Sequence, residues 1–154
     1  MIKNEKKINV LRIAIEHPYY QQERVLRNEI LLRPIGLPDH AWEMKDEEAW
    51  HFVAVYDNQV VGCAILVPTS DTDVQLMQMA VATDFQSQGI GKLIVLEMIQ
   101  FAKQKSIHQI TCHARDTAIK FYERLGFEIY GEPFEEVGIL HRHMKLRLSR
   151  FNWQ

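Results

Sequence analysis

Apolar and polar positions along this chain sort into strand-like and helix-like segments. In "KINVLRIAI" (7–15), Ile8 and Val10 hold one phase and Leu11, Ile13 and Ile15 the other, which predicts a first strand. "YYQQERVLRNEILL" (19–32) predicts a helix opened by Pro18 and ended before Pro34. The next stretch, "GLPDHAWEMKDEEAW", keeps no period and predicts an irregular or briefly helical connection. "HFVAVYDNQVVGCAILVP" (51–68) is two apolar runs around the turn pair Asp57-Asn58, the pattern of a β-hairpin. A strand over 74–82, a helix over 91–105, the strand "HQITCHA" and a helix over 116–125 follow. Asp116 is the expected N-cap of that last helix and Gly126 its C′ residue. "FEIYGE" and "GILHRHMKLRL" end the chain as strands. A hairpin first and strand–helix alternation later predict an α/β protein, a mixed sheet with helices on both faces.

The helix over 91–105 is amphipathic. Ile90, Ile94, Met98 and Phe101 form one stripe, widened by Val95 and Ala102, while Lys92, Gln100, Lys103 and Gln104 lie opposite. Directly before it stands Gln86-Ser87-Gln88-Gly89-Ile90-Gly91. Two glycines one residue apart allow a tight turn and a close backbone approach. A strand, a glycine turn and a helix start leave unpaired amides at the positive end of a helix dipole, which suits phosphate. A P-loop does not fit, because Gln86 stands where its first glycine should be and Leu93 follows Lys92. The dinucleotide fingerprint fails too, since Ile94 occupies the place of its third small residue. The turn alone equally allows a helix start that holds nothing.

Composition narrows the field. With 154 residues, 47% apolar and 25% charged, the chain reads as one globular domain over 1–154. A net charge of −2 without a basic run argues against nucleic acid, and no apolar run approaches the ~20 residues of a membrane span. "KNEKK" near the start reads as a solvated tail, and the polar residues after Met1 predict no leader, hence a cytoplasmic protein. Cys63 and Cys112 have no metal or redox spacing and are expected as buried, reduced thiols.

Two motifs together point further. Gln86, Gly89 and Gly91, after an apolar strand and opening a helix, resemble the acetyl-CoA signature of the GNAT N-acetyltransferases. Some thirty residues on, "ARDTAIKFYERLGFEIYGE" resembles the second hallmark of that family through Ala118, Tyr122, Leu125, Gly126 and Phe127. The resemblance runs from about residue 51 to 148. It implies the GNAT fold, with a mixed and mostly antiparallel sheet, and acetyl-CoA as cosubstrate. It also implies that the main chain of Met79, Ala80 and Val81 bonds the pantetheine, in a strand carrying a bulge. Ser87, Gln88, Gly89, Ile90, Gly91 and Lys92, with Gln86, would then wrap the pyrophosphate. The family needs no metal. Many relatives carry an Asn seven residues before the tyrosine, where this chain has Arg115.

On this resemblance Tyr122 is the expected proton donor to the leaving thiolate, although Ala118, Phe121, Tyr122 and Leu125 share a helix face that would also serve as core. "EEVGILHRH" resembles a run in small GNAT proteins of unassigned substrate, and offers His141, Glu135, Glu136 or a water as general base. His141 and His143 alternate along a strand, so both equally fit a solvated or hydrogen-bonded face. A metal site from these two with His113 or Cys112 has little in its favour. The acceptor is expected to be a primary amine of a small molecule or peptide. Tyr19, Tyr20, Trp42 and Trp50 offer apolar surface, and Glu23, Asp39, Glu43, Asp46, Glu47 and Glu48 make either an acidic wall suited to a cation or a merely solvated loop. A silent acyl-CoA sensor and a domain binding another nucleotide are the alternatives, and the fold allows a homodimer.

Overall fold

A computed structural model describes residues 7–148, so all but the last residue of the "KNEKK" tail lies outside it. In chain order the elements are β1 (Asn9–Ile13), α1 (Tyr19–Arg27), β2 (Trp50–Tyr56), β3 (Gln59–Pro68), β4 (Asp73–Val81), α2 (Ile90–Gln104), β5 (Gln109–Arg115), α3 (Ile119–Arg124), β6 (Glu128–Glu136) and β7 (Ile139–Arg147). The strands form a seven-stranded sheet in the order β1-β2-β3-β4-β5-β7-β6. β1/β2, β5/β7 and β6/β7 pair antiparallel, and β4/β5 pair in parallel. This is the expected mixed sheet.

Three local expectations need correction. The helix after Pro18 is α-helical only to Arg27; it continues as a π turn over Asn28–Leu32 and a 3-10 turn over Arg33–Ile35. Pro34 therefore lies inside a helical turn, where a new first turn does not need its missing N–H, and Gly36 at φ 77° ends the run. Asp116 does not cap a helix: it begins a 3-10 turn, Asp116–Ala118, and α3 starts only at Ile119. β6 does not stop at Glu132. An irregularity between Tyr130 and Phe134 absorbs the break, and the strand runs on to a hairpin turn at Val137 and Gly138, with φ of 48° and 74°. The Asp57-Asn58 hairpin is as expected, both residues left-handed at φ 51° and 61°.

The chain divides into two compact units. The first comprises residues up to Ile65 together with Gln78–Glu97. Its core gathers Ile13, Leu26, Val53, Val55, Val60, Cys63 and Ala80, with Tyr19, Tyr20, Ile30 and Leu31 packed against it. Gly62 in β3 admits α2, since a Cβ there would stand 2.9 Å from Ile90 Cγ2 and 3.1 Å from Ile94 Cδ1. The second unit comprises Leu66–Met77 and the chain from Met98 onward. Here Val74, Leu76, Met98, Phe101, Ala102, Ile110, Cys112, Tyr122, Phe127 and Met144 are buried. β3 is buried at every position from Val60 to Val67, as a strand covered on both faces must be, whereas the edge strand β6 is largely exposed.

Candidate active site

The glycine turn is braced from within. Ala82 N–H donates to Val61 O at 2.8 Å, and a 3-10 turn over Thr83–Phe85 leads into Gln86. Gln86 Nε2 donates back to Val81 O at 2.9 Å, and Gln88 Nε2 to Asp84 O at 3.1 Å. Both glutamine side chains thus hold the loop's own carbonyls. Ser87 and Gly89 are left-handed, at φ 62° and 83°. Leu93 N–H to Gly89 O, 3.1 Å, belongs to the opening turn of α2, so the amides of Ile90, Gly91 and Lys92 precede that bond. A Cβ built on Gly89 would meet nothing within 4 Å. The glycine is required by its backbone angle, and the space beside it is open.

β4 and β5 pair from Asp73↔Gln109 to Leu76↔Cys112, while β4 continues to Val81 and β5 to Arg115. Just past the last pair, Gln78 adopts φ 55°, a rare angle for a residue with a Cβ inside a strand. This left-handed residue lies in the strand for which the family resemblance implies a bulge. Gln78 Nε2 donates to Trp42 O at 2.8 Å, which ties the loop before β2 to this strand. Met79, Ala80 and Val81 follow directly, Ala80 buried and its neighbours half-buried. Sequence reading missed Gln78, because no residue-type signal marks a glutamine with a left-handed backbone.

Tyr122 is buried, its ring set edge-on against Phe121 and Phe127 at 5.0 and 5.2 Å. Burial, and to a lesser degree neighbouring Cys112, push its phenol well above the ordinary range, so it stays protonated. Burial likewise raises the Cys112 thiol to about 12, and both cysteines are free and buried.

His141 is buried where Glu136 and His113 are half open. Its Nδ1 lies 2.7 Å from Ile139 O. A carbonyl only accepts, so Nδ1 carries the proton and, in the neutral ring, Nε2 carries the lone pair. That Nε2 is 3.9 Å from Glu136 Oε1, and the other carboxylate oxygen takes the Nδ1–H of His113 at 3.1 Å. Phe134 stacks on His141 and His143, with centroids 5.6 and 4.2 Å away. Burial and nearby His113 hold the His143 imidazole below its ordinary value. Arg115 pairs with His141 across β5 and β7. Among the described residues no group of three or more His, Cys, Asp or Glu is placed to hold a metal ion.

The expected acidic wall does not materialise as such. Glu23 and Asp46 are buried and both bind Arg27, at 2.9 and 2.7 Å. Glu43 pairs with Arg24, Asp39 with Arg33 and Glu48 with Lys45. Five of the six carboxylates are spent on cations of the chain itself. Glu23 and Glu48 take close sequence neighbours, and the other three take more distant residues that linear sequence does not single out.

Residues 20–148 match the family model of the acetyltransferase (GNAT) domain. The chain belongs to the GNAT acetyltransferase family. Among its relatives is the uncharacterized protein YyaT of Bacillus subtilis (strain 168), 29% identical over 146 residues, 93% of this chain and 98% of that protein. The GNAT fold is shared with a GNAT acetyltransferase of Elizabethkingia anophelis solved with acetyl-CoA bound, at a TM-score of 0.72 and 22% identity over 92% of this chain and 98% of that one. An aminoglycoside 6'-N-acetyltransferase complexed with coenzyme A superposes at 0.78 with 16% identity, over 92% and 97%. No helix among the described residues of this GNAT protein is long and apolar enough to cross a membrane.

Proposed function

We propose that this chain is an acetyl-CoA-dependent N-acetyltransferase that passes the acetyl group directly to a primary amine of a small molecule or peptide. The observation that carries the reading is the turn before α2. Ser87 and Gly89 are left-handed, the amides of Ile90, Gly91 and Lys92 precede the first hydrogen bond of α2, and the space beside Gly89 is open. The pyrophosphate of acetyl-CoA is the matching anion. The main chain of Met79–Val81, just past left-handed Gln78, would bond the pantetheine as an added strand does.

In the reaction the amine nitrogen attacks the thioester carbonyl, the C–N bond forms and the C–S bond breaks. His141 Nε2 takes the proton that the amine gives up, and Tyr122 supplies one to the departing thiolate. A buried phenol is a weak acid, but a thiolate leaving into equally dry surroundings is a stronger base than in water, so the match survives burial. Free, buried Cys63 and Cys112 suit a reducing compartment such as the cytoplasm.

Calorimetric titration with acetyl-CoA, CoA, ATP and NAD tests the reading. One-to-one binding confined to the CoA ligands, lost in Gly89→Val, is expected. Absence of CoA binding by folded protein overturns it. Tyr122→Phe should keep the binding and lose turnover; a wild-type protein that binds CoA yet acetylates no amine is a sensor instead.

A further inference from the structure

We propose that Glu136 and His141 together form the seat of the acceptor amine, and that the seat selects an ammonium group, delivered as a cation and deprotonated there. The inference rests on the acetyltransferase reading and adds the charge class of the substrate and two residues that handle it.

The geometry is specific. Glu136 Oε1 and His141 Nε2 stand 3.9 Å apart, too far for a hydrogen bond between them and close enough for one nitrogen to reach both. An ammonium placed off the line joining them can donate to the carboxylate and, with a second N–H, to the imidazole. Each acceptor is already committed to that role. The proton on His141 is held at Nδ1 by Ile139 O, which leaves Nε2 to accept. Glu136 is fixed through Oε2 by His113 Nδ1, which leaves Oε1 turned to the gap. Phe134, stacked on His141, supplies an aromatic wall of the kind that favours cations. The face tolerates an ammonium already, since Lys145 Nζ lies 4.9 Å over the Tyr130 ring.

Chemically the two residues divide the work. The carboxylate binds the ammonium; one proton passes from nitrogen to Nε2, where the same carboxylate stabilises the imidazolium. That proton leaves to solvent past half-exposed Glu136, so that Nε2 is free again for the second proton, shed as the C–N bond forms. The freed amine keeps its lone pair for the thioester. His113 touches neither amine nor thioester and is a positioning residue. Glu136 is 48% exposed and His141 only 6%, so the substrate arrives from the Glu136 side and meets the base last.

The test uses the full chain and n-butylammonium chloride as probe, with n-butanol as its uncharged match. Side-chain NMR signals of His141 and His113 are followed during titration, with CoA binding measured on the same sample by calorimetry. Butylammonium should shift both signals saturably and butanol should not. Glu136→Gln should weaken the response about tenfold, as loss of a charge-assisted hydrogen bond does. Glu132→Gln, on the same exposed strand, should leave it unchanged, and His113→Gln should weaken it less than Glu136→Gln. An amine found to turn over should then show a raised KM in Glu136→Gln and a lowered kcat in His141→Gln. Unmoved histidine signals, or an unchanged response in Glu136→Gln, overturn the proposal even if CoA binds. Ammonium binding without CoA binding keeps this seat and sinks the acetyltransferase reading instead.

Discussion

Glu23 and His51 meet at 2.7 Å with both side chains all but inaccessible, whereas Glu136 meets His113 at 3.1 Å with about half of its side chain in solvent. The residue types are the same and the distances similar. In the buried group both His51 nitrogens and three of the four carboxylate oxygens are taken, and only Glu23 Oε1 has no partner. His51 Nδ1 faces the Glu23 carboxylate and Nε2 faces Asp46 O at 2.8 Å, so both nitrogens must donate and the ring is an imidazolium. Arg27 binds Glu23 and Asp46, and the Tyr20 hydroxyl closes the group on Asp46. Two anions and two cations balance in the dark. In the open group one imidazole lone pair and one carboxylate oxygen are left uncommitted. Burial turns carboxylate–histidine chemistry into scaffolding, and partial exposure leaves it free to act on something else.

The largest expected effect breaks the buried side. Arg27→Ala would leave Glu23 and Asp46 as unbalanced buried charges, and should cost about 3–5 kcal/mol in urea unfolding. A loss below about 1 kcal/mol would mean the group is wetter than its geometry shows. His51→Asn should cost less, about 1–3 kcal/mol, because Arg27 still serves Glu23.

A pH series sharpens the contrast. Burial alone would lower the His51 pKa, but the hydrogen bond and charge of Glu23, with help from Asp46, outweigh it and the net direction is up. A raised histidine stabilises the fold fully below the unfolded value, near ~6.5, and loses that contribution as pH rises through the folded value. Wild-type stability should therefore fall across that window relative to His51→Asn, and parallel curves would contradict an imidazolium at this site. The smallest effect belongs to the open side. Glu136→Gln should change unfolding stability by less than about 0.5 kcal/mol. A cost as large as that of His51→Asn would show that both groups are scaffolding.

Much of the fold was readable in the chain because short-range rules govern it. Apolar period placed α2, and the stripe of Ile90, Ile94, Met98 and Ala102 is buried as its spacing requires. Asp57-Asn58 specified its hairpin, since both residues tolerate a left-handed backbone. The glycine turn was legible through motif spacing, which reflects backbone geometry and therefore survives in linear form. Elements that deviate from ideal periods were not legible. The π turn after Arg27, the irregularity that lengthens β6 and the positive φ of Gln78 each trade local preference for distant contacts.

The amino-acid order by itself determined the element types, the glycine turn and the family resemblance, because each depends on residues within a few positions of one another. Tertiary structure alone decided which charges distant in the chain are partners. The carboxylates of 39–48 read as one acidic wall in linear order, yet Asp46 joins Arg27 on another element and Glu23 joins His51 from 28 residues away. Pairing of that kind depends on burial and on side-chain direction, and both are set only once the strands are laid side by side.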